Sequence, residues 1–157
     1  MYLVASKEKE AVHWAYQQFT EAKNMTDKLA ALDLLVNYDN PYRERALEAF
    51  YQTWKENPLV ITKWFAVQAG SNMATTYETV LTLLKNPSYD EKVPNHVRAL
   101  LGAFVQNQFQ FHDSSGRGYQ LIAQQIIHLD KINPYVAANL VQGFKKFAKL
   151  DTTRKEL

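Results

Sequence analysis

Cysteine is absent from the 157-residue chain. That excludes disulfides and thiolate metal sites and fits a reducing compartment, so a cytoplasmic location is expected. No apolar run approaches the roughly 20 residues that a membrane-spanning helix requires, and no membrane partner is expected. The opening decapeptide MYLVASKEKE has neither the n-region, the h-region nor the cleavage pattern of a signal peptide. Lys155-Glu156-Leu157 at the end matches only part of an endoplasmic-reticulum retention tail and reads as coincidence. Neither sign of charge dominates: eighteen basic against sixteen acidic residues leave a formal net charge of +2. A nucleic-acid partner, which calls for a concentrated basic surface, is therefore not expected. The basic residues near the end (Lys145, Lys146, Lys149, Arg154 and Lys155) alternate with apolar ones, as on a solvated helix face.

Catalytic motifs are missing as well. The sequence contains no H-E-x-x-H zinc motif, no P-loop, no G-x-G-x-x-G loop and no G-x-S-x-G nucleophile elbow. Its histidines, His13, His96, His112 and His128, are scattered, and none has a second histidine or a carboxylate at i+4 on the same helical face. Gly116-Arg117-Gly118 is too short to be a phosphate loop and reads as a turn. No catalytic residue, metal ligand or bound cofactor is expected within this chain.

What the sequence does contain is helical pattern. Hydrophobic residues make up 46% and aromatic residues 13%, enough for one continuous core at a length near that of a typical single domain. Four of the five prolines follow an asparagine: Asn40-Pro41, Asn57-Pro58, Asn86-Pro87 and Asn133-Pro134. Asparagine can accept from the free N–H groups that open a helix, and proline suits the next position because its N–H would be unpaired there anyway. Apolar residues recur at i, i+3, i+4 and i+7 along the chain. Val12 to Phe19 carry the first stripe, and Leu29, Leu32 and Val36 follow a predicted N-cap at Thr26. Further stripes run through Leu47–Trp54, the nearly all-apolar Leu59–Val67, Met73–Leu84, Val97–Phe104, Tyr119–Ile126 and Val136–Phe147. Eight helices are predicted, with longer loops at Asn86–Val93 and Gln106–Gly118.

Short connections make consecutive helices antiparallel neighbours, and such pairs stack into superhelical solenoids. The expected architecture is an all-α, HEAT/armadillo-like stack of about four helix pairs at the roughly 40-residue scale of those repeats. A compact bundle is the structural alternative. The repeat is one of geometry, with no convincing internal sequence identity. Residues 1–157 are expected to form one helical domain. Asp151-Thr152-Thr153 resembles a new N-cap shortly before the chain stops, which points to a piece of a longer multidomain polypeptide.

Three residues are candidates for function. Arg98 has apolar neighbours at i+3 and i+7, Leu101 and Val105. It either snorkels from an apolar face or presents a guanidinium to a carboxylate or peptide carbonyl. Tyr135 falls in the first turn of the last long helix, where it is either packed or free to project, and Asn139 shares its face one turn on.

The stretch Phe50-Tyr51-Gln52-Thr53-Trp54, then Asn57-Pro58-Leu59-Val60-Ile61-Thr62-Lys63-Trp64-Phe65-Ala66-Val67-Gln68-Ala69, resembles the C-terminal helical domain of bacterial-type alanyl aminopeptidases. These are the aminopeptidase N family of zinc gluzincins. Pro94-Asn95-His96-Val97-Arg98-Ala99-Leu100-Leu101-Gly102-Ala103-Phe104, the Phe111-His112 step, the Asp113–Tyr119 turn and Ile132-Asn133-Pro134-Tyr135-Val136-Ala137 extend the resemblance in order across nearly the whole chain. The resemblance implies a non-catalytic part of an enzyme that removes N-terminal residues from peptides. Its zinc, glutamate base and N-terminus-recognising loop would lie in an upstream thermolysin-like domain. The helical domain would cap that active site and wall a substrate chamber, making the upstream domain and peptide substrate its partners. Tyr135 would then contribute to the pocket for the first residue, Arg98 would line the chamber, and Asn139 would occupy a chamber-facing position that is arginine in some relatives. A different class of function, a helical-repeat scaffold for protein–protein interaction, is the alternative.

Overall fold

Asparagine side chains set the helix boundaries, as expected, but by two different geometries. The computed structural model describes residues 2–149, with side chains described over 10–145. Asn133 is an N-cap: its Oδ1 accepts from the Val136 N–H at 3.2 Å, and Pro134 takes the first helical position. The other three pairs hold a turn instead. Asn40 accepts from Tyr42 N–H (3.0 Å), Asn57 from Leu59 and Val60 N–H (3.2 Å each), and Asn86 from Ser88 N–H (2.8 Å). The predicted helix start at Leu59 therefore moves to Ile61, and Leu59 is left 71% exposed in the Asn57 turn. Thr26 is not the cap of its helix. Asn24 is, accepting from the Asp27 N–H at 2.9 Å.

The helices are α1 (Tyr2–Glu21), α2 (Met25–Val36), α3 (Arg43–Trp54), α4 (Ile61–Ala69) and α5 (Thr76–Leu83). Pro94–Val97, Arg98–Gly102 and Ala103–Gln106 run on without a break as α6, whose middle segment is a π-turn. There follow α7 (Gln108–Phe111), α8 (Arg117–Asp130) and α9 (Pro134–Val141), which tightens into 3₁₀ geometry over Gln142–Lys149. Among the described residues there are thus nine helices and no strand, one helix more than the apolar stripes predicted. The extra one, α7, lies inside the predicted Gln106–Gly118 loop. Asn107 caps it by accepting from the Phe109 and Gln110 N–H groups. Phe111 anchors it, fully buried and edge-on to Phe104, Tyr119 and Phe144.

Helices α2, α4, α6 and α9 form one layer, each packed on the next, with α4 seated against the π-turn of α6. α1, α3 and α8 each pack on the following helix of that layer, and α5 packs between α4 and α6. This is the stacked-pair solenoid rather than the compact bundle. The core runs through the middle of it, with Leu32, Leu35, Phe50, Ile61, Phe65, Leu100, Phe104 and Ile122 almost inaccessible to solvent.

The repeat that the letters do not show is written in hydrogen bonds at the ends of α2, α4 and α6. Ser71 Oγ donates to the Val36 carbonyl (2.8 Å) and the Asn72 N–H to Asn37 Oδ1 (2.9 Å), each across 35 residues. Asn107 Nδ2 donates to the carbonyls of Ser71 (2.7 Å, across 36 residues) and Ala69 (3.3 Å, across 38 residues). Helix ends leave carbonyls without intrahelical partners, and here a polar side chain from the next repeat supplies the donor.

The turn expected at Gly116-Arg117-Gly118 falls earlier, at Asp113–Gly116, where the Gly116 N–H donates to the Asp113 carbonyl (3.1 Å), and Arg117 and Gly118 already open α8. Gly116 has φ of 70°, and a Cβ on Gly118 would lie 2.7 Å from the Phe111 carbonyl oxygen. Arg117 ties the start of α8 to α5, pairing with Glu78 at 2.8 Å and lying 4.6 Å from the Tyr77 ring centre. Lys145 is exposed, as on a solvated face. Lys146, Lys149, Arg154, Lys155 and the Asp151-Thr152-Thr153 cap fall outside the described side chains.

Candidate functional site

Arg98 opens the π-turn of α6, in which the Ala103 N–H donates to the Arg98 carbonyl five residues back. The extra residue changes which way Arg98 points. In a regular α-helix at 100° per residue, Arg98 and Val105 would sit within about 20° of each other. One inserted residue separates them by about 120°. Accordingly Val97, Leu100, Leu101, Phe104 and Val105 are buried, whereas Arg98 is exposed. Arg98 therefore does not lie on the apolar face that its i+3 and i+7 neighbours define. Its guanidinium donates from Nη1 to Asn95 Oδ1 at 3.1 Å.

Tyr135 follows the Asn133 cap and Pro134 and is 69% exposed. Asn139, four residues on, is exposed on the same face of α9. Val136, Ala137 and Leu140 turn the other way and are buried. Because α9 packs against the π-turn that begins at Arg98, all three candidates come from adjoining helices of one layer.

Two surface grooves lie elsewhere. One, about 750 Å³, is lined by Trp14, Gln17, Lys23 and Asp27 where α1 meets α2. The other, about 350 Å³, lies among α3, α4 and α5, lined by Arg43, Trp64, Gln68 and Thr79. Neither includes Arg98, Tyr135 or Asn139.

Each histidine has a structural partner. His13 Nδ1 meets the Tyr42 hydroxyl (3.2 Å), His112 Nδ1 meets the Tyr119 hydroxyl (2.9 Å), and His128 Nε2 meets Glu91 (2.9 Å). His96 Nδ1 accepts the Asp90 N–H at 3.1 Å. Its ring lies in a buried cluster with Phe65 and Tyr89. Burial first, then Glu91 and Asp90, pushes the Tyr89 hydroxyl well above the usual tyrosine range. Among the described residues no three of His, Cys, Asp or Glu gather into a metal-binding group, and no helix is long and apolar enough to cross a membrane.

Over its whole length, residues 1–157, the chain matches the family described as "Domain of unknown function (DUF3458_C) ARM repeats". The chain belongs to this DUF3458_C armadillo-repeat family. Its relatives include longer proteins. It is 41% identical over 133 residues to aminopeptidase N of Caulobacter vibrioides, covering 82% of this chain and 15% of the relative. It is 38% identical over 141 residues to aminopeptidase N of Escherichia coli, covering 89% and 16% respectively. A crystal structure of Legionella pneumophila aminopeptidase A in complex with aspartic acid superposes with a TM-score of 0.91 at 38% identity, over 99% of this chain and 18% of that one. The DUF3458_C chain thus spans about a sixth of the length of these aminopeptidases and corresponds to their C-terminal helical domain.

The π-turn and the polar ladder between repeats were not foreseen. A π-turn needs no particular residue type, and the ladder joins residues 35 to 38 apart that show no pattern until the helices stack.

Proposed function

We propose that this domain is the non-catalytic C-terminal part of a zinc-dependent aminopeptidase. There it caps the active site, walls the substrate chamber and lines the pocket for the first residue of a peptide. The whole-length match to the helical domain of aminopeptidases carries this reading. The outward face of α9 beside the Arg98 turn supports it, because a chamber wall needs polar and aromatic groups that the domain's own core does not consume. The upstream catalytic domain of the same polypeptide and the peptide substrate are the partners. Zinc belongs to that catalytic domain, and the whole enzyme works in the cytoplasm. The chain alone is expected to be inert toward aminoacyl reporter substrates.

In this arrangement the Tyr135 ring offers apolar area to the substrate's first side chain, and its hydroxyl can hydrogen-bond. Arg98 attracts main-chain or C-terminal oxygens, and Asn139 adds an adaptable amide beside them. Exclusion of bulk water strengthens such contacts by lowering the effective dielectric. A pocket of this kind separates side chains differing by one methylene by about 1–3 kcal/mol. Tyr135→Ala in the intact enzyme should change the ranking of kcat/KM among first-residue side chains by that order. An unaltered ranking would remove Tyr135 from the pocket.

A further inference from the structure

We propose that Asn95 is the positioning residue for Arg98, and that the pair forms a subsite for the C-terminal carboxylate of a short peptide. The inference rests on the reading of Arg98 as a chamber residue and adds to it the group that aims the guanidinium and the substrate end it takes. Asn95 is unlike the four asparagines that precede prolines. It follows Pro94, at the second position of α6, and the cap position before it, Val93, makes no side-chain capping bond. The amide carbonyl of Asn95 is thus not spent on opening the helix. It accepts instead from Arg98 Nη1 at 3.1 Å.

Two features make the pair suited to an anion. The π-turn swings Arg98 about 120° away from Val105, so both members stand in solvent while Leu100 and Leu101 fill the core. A guanidinium has five N–H donors. The bond to Asn95 occupies one nitrogen and leaves the Nε and Nη2 edge of the fork for a bidentate carboxylate. Asparagine is also neutral. It orients the guanidinium without cancelling its charge, whereas a carboxylate at 95 would form an ion pair and compete with the ligand.

The test uses the intact enzyme and matched pairs of short peptides, one with a free C-terminal carboxylate and one with a C-terminal amide. Arg98→Ala should raise KM for the free-acid peptide several-fold more than for the amide peptide. Asn95→Ala should raise KM for the free acid about fivefold, the worth of one ordinary hydrogen bond, with kcat unchanged. Asn95→Asp should raise it at least as much and spare the amide, because only charge competition separates the two peptides. If Arg98→Ala leaves both KM values unchanged, the chamber role of Arg98 is wrong, and if it raises both equally, the carboxylate subsite is overturned. If Arg98→Ala does distinguish the peptides but both Asn95 variants behave as wild type, the positioning role alone is overturned. Equal losses on both peptides from the Asn95 variants would mark a purely structural residue and overturn it too.

Discussion

Asn107 offers the most severe test of how the solenoid is held together, because one side chain makes every bond its amide allows. It is 5% exposed. Its Nδ2 donates to the Ala69 and Ser71 carbonyls (3.3 and 2.7 Å), and its Oδ1 accepts from the Phe109 and Gln110 N–H groups (3.2 and 3.1 Å). Asn107→Ala removes the cap of α7, worth about 1 kcal/mol. It also strips a buried donor from the Ala69 carbonyl, at about 1–3 kcal/mol. The Ser71 carbonyl suffers less, since the Thr76 hydroxyl still donates to it at 2.9 Å. The total, about 2–4 kcal/mol, is a large part of the roughly 5–15 kcal/mol by which domains are stable. Asn107→Asp is the sharper probe. It keeps the capping acceptor but turns a carboxylate oxygen toward two carbonyls, so the ionised form is disfavoured in the folded state. The folded-state pKa of that aspartate is thereby raised. By linkage the variant should lose least stability below the ordinary carboxylate range, where the protonated acid donates again, and most as pH rises through the raised value. Urea unfolding followed by circular dichroism, at acidic and neutral pH, measures both variants. An alanine variant within about 0.5 kcal/mol of the parent, the range of an unremarkable surface change, would refute the reasoning. So would an aspartate variant whose deficit does not grow with pH.

Other perturbations follow from single contacts. Gly118→Ala would drive a methyl to 2.7 Å from the Phe111 carbonyl, so unfolding should show a loss of about 1–3 kcal/mol typical of overpacking. A variant of unchanged melting temperature would mean that the turn yields freely. Tyr89 should ionise well above the usual tyrosine range in an alkaline ultraviolet titration, since burial raises its pKa. Its contribution to stability is complete below the usual tyrosine range and falls away as pH climbs toward the raised folded value. Tyr89→Phe should delete that late step.

The eight long helices were legible because their signals are local. Apolar stripes at helical spacing identified α1 to α6, α8 and α9, and asparagine before proline marked their punctuation. The four histidines each hold a separate structural bond that no sequence spacing marked. Four residues of α7 were too few for any period to register. That helix exists because Phe111 finds a pocket among Phe104, Tyr119 and Phe144, and because Asn107 reaches the end of α4.

Composition and periodicity by themselves determined an all-helical chain of paired segments, since backbone preference and amphipathic spacing act within a few residues. Only the tertiary structure decided that Arg98 faces outward. Its apolar neighbours in the sequence would have drawn it toward the core in an unbroken α-helix. The π-turn reconciles burial of Leu100, Leu101 and Phe104 against α4 and α9 with solvation of the charge between them. Burying that charge would cost more free energy than one widened turn, and the comparison arises only once neighbouring helices surround it.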